Sequence, residues 1–185
     1  MADVGVRPAA PTDAASVAAI QVRTWRGAYS EILPTPALEE VTSPEAEQLW
    51  AGQWREAAAN PPSPRHRLLI AVETGTPVGF AAYGPATEPG RTAEDDAELI
   101  TLLVDPAYWR RGHGSRLLAA TVDNMRDDGF TAVVTWVFEA DVVLESFLVS
   151  AGWARDGARR ELDMGEPIRQ VRLHTAIDAT EIDSR

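Results

Sequence analysis

The fold is decided by the stretch ELITLLVDPAYWRRGHGSRLLAA, residues 98–120. Its first part, from Leu99 to Val104, is a nearly continuous apolar run of strand length. Asp105-Pro106 ends the run, and a basic turn with two glycines follows. Beyond the turn, apolar residues recur at the spacing of one helix face, at Leu118, Val122 and Met125. A strand, a glycine-containing turn and a helix in this order are suited to binding a phosphate group.

The turn, residues 109–116, combines several features that bind an anion. Gly112 and Gly114 carry no Cβ, so backbone N–H groups can approach a ligand closely. We expect the first turn of the helix just past Gly114, with its unpaired N–H groups and positive dipole end. The turn holds three arginines and a histidine, although the chain has 17 Lys and Arg against 28 Asp and Glu, a net charge of −11. An anion is therefore expected where the helix starts, near Ser115.

A Gly-x-Gly pattern alone also fits an ordinary strand-to-helix turn, in which the glycines serve geometry and the arginines face solvent. Two other phosphate-binding motifs do not fit. A Walker-type loop requires a lysine after its last glycine, whereas Ser115 follows Gly114. A dinucleotide-binding fingerprint requires a third glycine, and Leu117 occupies that position.

The segment VDPAYWRRGHGSRLLAA, residues 104–120, resembles the acetyl-coenzyme A signature of the GNAT superfamily of N-acetyltransferases, Gln/Arg-x-x-Gly-x-Gly/Ala after a strand. Gly112 and Gly114 fall on its two small positions. Trp109 stands where Gln or Arg is commonest, which removes one side-chain contact but no backbone donor. A second segment, VFEADVVLESFLVSAGW, resembles a later part of the family, with Asp141 for the usual Asn and Leu148 where a tyrosine is frequent.

Periodicity and turn signals predict the other elements. We expect helices over about 12–29, 44–60, 115–128 and 141–150, and strands over 4–7, 67–73, 77–83, 99–104, 131–138, 153–163 and 168–175. Pro34 and Pro36 should break the chain, and residues 84–97 should form an exposed loop. The sum is a mixed α/β fold with a central, mainly antiparallel twisted sheet of about 6–7 strands and helices on both faces. This order of elements is similar to the GNAT fold.

Length and composition limit the class of protein. The 185 residues fit one domain, predicted as 1–175, followed by a polar tail at 176–185. The absence of cysteine excludes disulfides and a covalent cysteine intermediate. The three histidines, His66, His113 and His174, are far apart in sequence, so no metal site is expected. The excess of acid argues against nucleic-acid binding and is compatible with a cationic amine substrate.

No segment of the sequence predicts contact with a membrane. The N-terminus has no apolar signal region, and no run approaches the roughly 20 apolar residues that span a bilayer. We therefore expect a cytoplasmic protein that does not bind a membrane.

The resemblance implies where acetyl-CoA, the expected co-substrate, would bind. In the family, the strand before the turn opens to admit the pantetheine arm, which places that arm along Leu102, Leu103 and Val104; the alternative is a fully paired core strand. The pyrophosphate would lie on the turn, formed by Trp109, Arg110, Arg111, Gly112, His113, Gly114 and Ser115. Asp141 occupies a position that often touches the cofactor, although an aspartate repels phosphate and can simply cap a helix.

Glu98 is the candidate catalytic residue. A primary amine is neutral in only about one part in a few thousand at pH 7, and attack on a thioester needs that neutral form, so a proton acceptor is required. Glu98 matches the position where some GNAT members place a general base, and partial burial should then raise its pKa. The alternative is an acid ending a polar loop, after Glu94, Asp95 and Asp96.

Two further assignments concern the leaving group and the acceptor. Leu148 cannot protonate the departing thiolate, so either Tyr108, Ser146 or Ser150 does so, or the thiolate leaves unassisted. Trp25 and Tyr29 share a helix stripe and match a region that often forms the acceptor pocket, although such stripes are commonly core.

The sequence thus predicts an N-acetyltransferase that transfers an acetyl group from acetyl-CoA directly to a primary amine in a ternary complex. The acceptor would be a small-molecule or peptide amine, and a homodimer is possible because dimers are common in the family. One alternative is a non-catalytic acyl-CoA-binding module that senses or regulates, which Leu148 and Trp109 favour. Another is a binding protein for a different phosphate ligand.

Overall fold

The computed structural model of the protein describes residues 3–178. Residues 179–185, most of the predicted polar tail, lie outside the described residues. Ile177, at the start of that tail, is buried in the core.

A single sheet of seven strands forms the centre of the described chain. Its strands are β1 (Val4–Pro8), β2 (Arg67–Glu73), β3 (Thr76–Pro85), β4 (Asp96–Val104), β5 (Ala132–Phe138), β6 (Ala154–Asp163) and β7 (Pro167–Ala176). The spatial order is β1-β2-β3-β4-β5-β7-β6. Every neighbouring pair is antiparallel except β4 and β5, which run parallel.

Within residues 3–178, five α-helices cover the two faces of this sheet, which confirms the mixed α/β prediction. They are α1 (Ala14–Tyr29), α2 (Thr35–Val41), α3 (Pro44–Ala59), α4 (His113–Asp127) and α5 (Val142–Ser150). Residues of α4 and α5 form one buried cluster with the sheet, which includes Leu117, Met125 and Leu148. On the opposite face, Val17 and Ile20 of α1 pack on Ile70 and Phe80, with Trp54 of α3 against them.

Three predicted boundaries were wrong. Residues 35–41 form a helix, because Pro36 lies in its first turn, where the missing N–H has no partner to lose. Helix α4 begins at His113, two residues before the predicted start. The expected loop over 84–97 is shorter, since β3 continues to Pro85 and β4 begins at Asp96.

The C-terminal end of α4 is attached to the sheet through Asp128. Gly129, with a φ of 87°, ends the helix as predicted. The Asp128 carboxylate accepts hydrogen bonds from Arg67 Nε at 2.7 Å and from the Tyr83 hydroxyl at 2.7 Å. Burial alone would raise the pKa of Asp128, but the hydrogen bonds from Arg67 and Tyr83 outweigh burial and lower it. The contact fixes α4, and with it the loop at its other end.

We expect Asp128→Ala to lower the free energy of unfolding by about 2–3 kcal/mol, because the buried Tyr83 hydroxyl and the partly buried Arg67 guanidinium lose a charged acceptor. Folding lowers the pKa of Asp128. Its contribution to the free energy of unfolding is therefore fully present above the unfolded-state pKa of about 4, and it is lost as the pH falls through the lower pKa of the folded state. Urea denaturation at several pH values measures both effects. Asp123→Ala is the control, because the Asp123 side chain is 70% exposed in its pair with Arg126 and should change stability by less than about 0.5 kcal/mol. Equal effects of the two substitutions would contradict this account.

Candidate active site

The sheet opens between its two parallel strands. Strands β4 and β5 pair only at Asp96, Ala97 and Glu98, opposite Ala132, Val133 and Val134. Beyond Glu98 no further β4–β5 pairing occurs in the described residues. The register between β3 and β4 shifts at the same place, since Tyr83 faces Leu99 while Ala82 faces Thr101. Ile100 is therefore the extra residue of a β-bulge, which bends β4 away from β5.

We call this opening between β4 and β5 the slot. At each of its two ends, a side chain donates a hydrogen bond to a carbonyl group of β4. The Leu99 carbonyl accepts a hydrogen bond from the Thr135 hydroxyl at 2.7 Å. The Val104 carbonyl accepts one from the Trp109 indole N–H at 2.6 Å. Between them, the β5-facing backbone from Ile100 to Leu103 has no strand partner in the described residues. An extended ligand with amide groups could therefore pair with β4 there.

The loop after β4 leads from the slot to the start of α4. Asp105 accepts from Ala107 N at 3.0 Å, and its other oxygen pairs with Arg23 of α1 at 2.5–3.0 Å. Arg110 and Gly112 then take left-handed conformations, with φ of 64° and 80°. Gly112 is the N-cap of α4. The first-turn amides of α4 thus point out of the loop, and the Arg110 side chain makes no hydrogen bond or ion pair within residues 3–178.

His113 presents only its backbone to this loop. Its ring is turned into the protein and is 3% exposed, with Nε2 2.9 Å from Glu73 Oε2. The hydrogen bond from His113, aided by Arg111 at 3.5 Å, lowers the pKa of Glu73. Glu73 ends β2, so this contact fixes the start of α4 against the sheet. The predicted role of His113 in cofactor binding is therefore limited to its main chain.

The second glycine of the motif allows a close approach between elements. A Cβ on Gly114 would lie 3.7 Å from Phe147 Cζ and 4.0 Å from Val104 Cγ2. The first turn of α4 thus lies directly against α5 and the end of the slot. The slot and the helix N-terminus form one continuous surface.

Glu98 lies at the closed end of the slot. It is the third residue of β4, which begins at Asp96 and not at 99 as predicted. Its side chain points to the face that carries α1, because Leu99 beside it packs under α4. Burial raises the pKa of Glu98, repulsion from Glu88 adds to the rise, and Arg160 partly offsets it. A half-buried carboxylate with a raised pKa has the properties of a general base.

The segment after β5 provides a helix cap, and its Leu148 carries no proton donor. Asp141 Oδ1 accepts from Leu144 N at 3.1 Å as the N-cap of α5. Burial raises the pKa of Asp141, and the Leu144 N–H partly offsets this. Leu148 is 1% exposed and packs in the core under α4.

Trp25 and Tyr29 do not line one common surface. The Trp25 ring meets Trp50 of α3 edge to face, at a centroid distance of 5.5 Å. Tyr29 packs in the same way on Phe138 at the end of β5, at 5.0 Å. Burial and the nearby Asp141 charge raise the pKa of Tyr29. Tyr29 therefore lies beside the slot, whereas Trp25 belongs to the contact between α1 and α3.

Two surface depressions accompany the site. The larger, about 430 Å³, begins at Ser115 and runs between α4 and α5 to Ile177. It lies on the opposite side of the sheet from Glu98. The smaller, about 260 Å³, lies at the end of β5, with Ile32, Glu139 and Arg169 among its lining residues.

Residues 3–178 contain neither a membrane-spanning helix nor a cluster of metal ligands. No helix there is long and apolar enough to cross a membrane. No group of three His, Asp or Glu side chains there is placed to hold a metal ion.

Comparison with known proteins identifies the family. The sequence model described as the acetyltransferase (GNAT) family matches residues 25–153, more than half of the chain. The chain belongs to this family. It is an N-acetyltransferase by family, with the acyltransferase chemistry that this implies. The matched region includes the slot, α5 and residues 109–116, the expected phosphate loop.

Two curated relatives and one solved structure agree with the GNAT assignment. An uncharacterized N-acetyltransferase of Bacillus subtilis, YuaI, is 29% identical over 74% of this chain and 72% of its own. The N-alpha-acetyltransferase RimI of Mycobacterium tuberculosis is 36% identical over 61% of this chain and 70% of its own. PaiA N-acetyltransferase of Thermoplasma acidophilum, solved with coenzyme A, superposes with a TM-score of 0.70 over 94% of this chain and 99% of its own, at 17% identity. At that identity, the likeness shows the GNAT fold.

Sequence reasoning missed three parts of the GNAT site. The bulge at Ile100 has no local signal, because an extra residue is visible only against the register of β3. Thr135 looks like an ordinary strand residue in the sequence, because its hydrogen bond to the Leu99 carbonyl depends on the tertiary structure. Trp109 was expected to lose a contact, whereas its indole binds the carbonyl at the mouth of the slot.

The two motif glycines should respond differently to alanine. Gly112→Ala forces a Cβ into a left-handed conformation, at about 1–2 kcal/mol, and places it 3.0 Å from Arg116 Nη1. We expect coenzyme A affinity to fall at least tenfold, because the loop must rearrange. Gly114→Ala is the matched control, since its φ is helical and its nearest contact is an ordinary 3.7 Å. Calorimetric titration with coenzyme A measures both variants, and equal losses would contradict this assignment of roles.

Proposed function

We propose that this protein transfers an acetyl group from acetyl-CoA directly to a primary amine in a ternary complex, with Glu98 as the general base. The observation that carries the proposal is the slot. The slot is the stretch of β4 whose edge toward β5 is unpaired in the described residues. It begins at the half-buried Glu98 and leads to the N-terminus of α4. One extended thioester ligand with a diphosphate at one end fits these three features together.

Acetyl-CoA fits the chemistry of the groups present. The diphosphate would accept hydrogen bonds from the backbone amides of Gly112 to Ser115, at the positive end of the α4 dipole. Arg110, which has no partner in the described residues, would neutralise part of its charge. The amides of the pantetheine arm would pair with the main chain from Leu102 to Val104, in place of a missing strand. The Thermoplasma acidophilum relative, which has this fold, was solved with coenzyme A.

Glu98 would supply the deprotonation that the reaction needs. The acceptor reaches the site mostly as an ammonium ion, and Glu98 removes one proton, directly or through a water molecule. The neutral nitrogen then attacks the thioester carbonyl, a C–N bond forms, and the C–S bond breaks. Because the β4 backbone lies beside the carbonyl, a free N–H there would stabilise the developing oxyanion.

The departing thiolate would take its proton from water. Leu148 is buried and carries no proton donor. Tyr108 packs against Arg111 and His113 in the phosphate loop, at the opposite end of the slot from Glu98. The Ser150 hydroxyl is engaged, since it donates a hydrogen bond to the Phe147 carbonyl at 2.7 Å. A thiol is far more acidic than an alcohol, so unassisted departure is chemically feasible.

The acceptor would be a small-molecule or peptide amine that enters at the end of β5. Tyr29 and Phe138 form an aromatic surface there. The adjoining depression of about 260 Å³, with Ile32, Pro167 and Ile168 among its lining residues, gives an acceptor room there. The Mycobacterium tuberculosis relative is named an N-alpha-acetyltransferase, which favours including peptide N-termini among the amines tested.

The general-base role is tested with Glu98→Gln. We expect kcat/KM to fall by about 10²-fold or more, while the affinity for coenzyme A stays within about twofold, because Glu98 does not contact the diphosphate. Thiol release from acetyl-CoA with a panel of peptide, polyamine and amino-acid amines measures turnover. Glu94→Gln, an exposed acid before β4, is the control and should keep wild-type activity. Wild-type kcat/KM in Glu98→Gln across pH 6–9 would remove Glu98 from the mechanism. Tight coenzyme A binding without amine-dependent thiol release would instead support the acyl-CoA-binding module.

The pH dependence of kcat/KM should change when the negative charge of Glu88 is removed. Its repulsion helps to hold the pKa of Glu98 above the usual range, so Glu88→Gln should lower that pKa. Activity that requires ionised Glu98 would then persist to lower pH. The Gln side chain keeps an oxygen for the Trp136 indole, which now donates to Glu88 Oε1 at 2.9 Å. The acidic limb of the kcat/KM profile measures the effect, and a limb that stays in place or moves to higher pH would contradict it.

A further inference from the structure

The absent side chain of Gly84 makes room for a histidine ring. A Cβ on Gly84 would lie 2.5 Å from Cδ2 and 2.9 Å from Nε2 of His66, closer than a real Cβ can come. Gly84 does not take a left-handed conformation, so the glycine is required for space and not for backbone geometry. The imidazole thus occupies the volume of the missing side chain.

That volume lies directly beside Glu98. Gly84 of β3 faces Glu98 of β4 in the antiparallel register. Side chains directly opposite each other in such a pair have Cβ atoms roughly 4.5–5.5 Å apart on the same face. The His66 ring therefore takes the cross-strand position next to the point where the Glu98 side chain leaves β4, on the face that carries α1.

The ring of His66 is held by its other nitrogen. Nδ1 lies 2.8 Å from the Ser63 hydroxyl oxygen, and that oxygen also accepts from Arg65 N at 3.2 Å. This contact turns Nε2 toward Gly84. Within residues 3–178, Nε2 has no hydrogen-bond partner, so it is available to a group at the Glu98 position.

The charged groups that face this histidine are few. Glu98 is its neighbour on β4, with Glu88 and Arg160 acting on Glu98 from the β3–β4 loop and from β6. The arginines next to His66 in sequence turn to the opposite face of the sheet. Arg65 stacks on Phe130 at 3.7 Å, and Arg67 pairs with Asp128.

We propose that His66 is a positioning and proton-relay residue for Glu98, an inference that rests on the proposed acetyl transfer. In the tautomer with hydrogen on Nδ1, that hydrogen is donated to Ser63 and the Nε2 lone pair is free. After Glu98 takes the proton of the acceptor amine, its O–H bond breaks as an N–H bond forms at Nε2. The imidazolium then releases one proton to water, which restores both groups for the next turnover.

His66→Ala tests the relay, and His174→Ala is the matched control. His174 lies in the same row of the sheet, opposite Val134, with β5 between it and Glu98. In amine-dependent thiol release, we expect His66→Ala to lower kcat roughly tenfold, with the KM for acetyl-CoA unchanged and activity partly restored by added imidazole. His174→Ala should stay within about twofold of wild type. Wild-type kcat in His66→Ala, or a loss that imidazole does not restore, would overturn the relay.

A second pair of variants tests whether catalysis depends on the position of the His66 ring and not only on its presence. Gly84→Ala keeps the histidine but displaces its ring, and Ser63→Ala keeps the ring but frees Nδ1. Both should lower kcat in the direction of His66→Ala, with coenzyme A affinity retained as a sign of the folded protein. If folded Gly84→Ala and Ser63→Ala both keep wild-type kcat, the position of His66 is irrelevant to catalysis and the proposal fails.

A spectroscopic measurement needs no acceptor. In protein labelled with ¹³C at the glutamate carboxyl, the Glu98 resonance is identified by its loss in Glu98→Gln. We expect its titration midpoint to move in His66→Ala and to stay in place in His174→Ala. An unmoved midpoint overturns the coupling even if no amine proves to be a substrate. Absence of turnover in the wild-type protein, with the coupling present, would instead refute the proposed function.

Discussion

The separation of two parallel strands in the middle of the sheet is the constraint on which the rest of the structure depends. Breaking a central ladder leaves backbone N–H and C=O groups without partners, which is costly unless something replaces them. The Thr135 hydroxyl and the Trp109 indole satisfy the carbonyls at the two ends. The length between them remains for a ligand, whose amides can act as a partial strand. In the proposed function, the cofactor would complete the sheet at this place.

The opening is useful only because α4 is held firmly beside it. At the C-terminal end of the helix, Asp128 is bound by Arg67 and Tyr83 from β2 and β3. At the N-terminal end, the His113 ring is bound by Glu73 from the end of β2. The helix therefore cannot slide along the sheet without breaking a hydrogen-bonded pair at one of its ends. Such pairs add geometric specificity even where their net contribution to stability is small.

The loop before α4 is positively charged, although the chain as a whole is acidic. The protein carries a net charge of −11, but Arg110 and the dipole of α4 make the loop positive. At the other end of the slot, Glu98 is half-buried next to Glu88, and the two effects raise its pKa. A cationic group is favoured near the acidic surface, while an anion is favoured only at the helix start. This arrangement gives each end of the slot a different preferred ligand.

Sequence alone determined the features that depend on neighbours along the chain. The strand, turn and helix of residues 98–120, the hairpin at Thr74-Gly75 and the helix stop at Gly129 follow from local conformational preferences, and the structure contains all three. The family followed mainly from the resemblance of that stretch, and the mixed α/β fold from the periodicity of the elements along the whole chain. The short helix over 35–41 was missed because prolines signal a break and a first turn equally well.

Tertiary structure decided everything that depends on register. The bulge at Ile100 exists only relative to β3, and the burial of the His113 side chain depends on Glu73, 40 residues away. The place of His66 beside Glu98 depends on a glycine in the strand between them. Local sequence patterns encode which element a residue joins, but cross-strand neighbours are set by the packing of the whole sheet. For that reason the phosphate loop could be read from the sequence, whereas the surroundings of Glu98 could not.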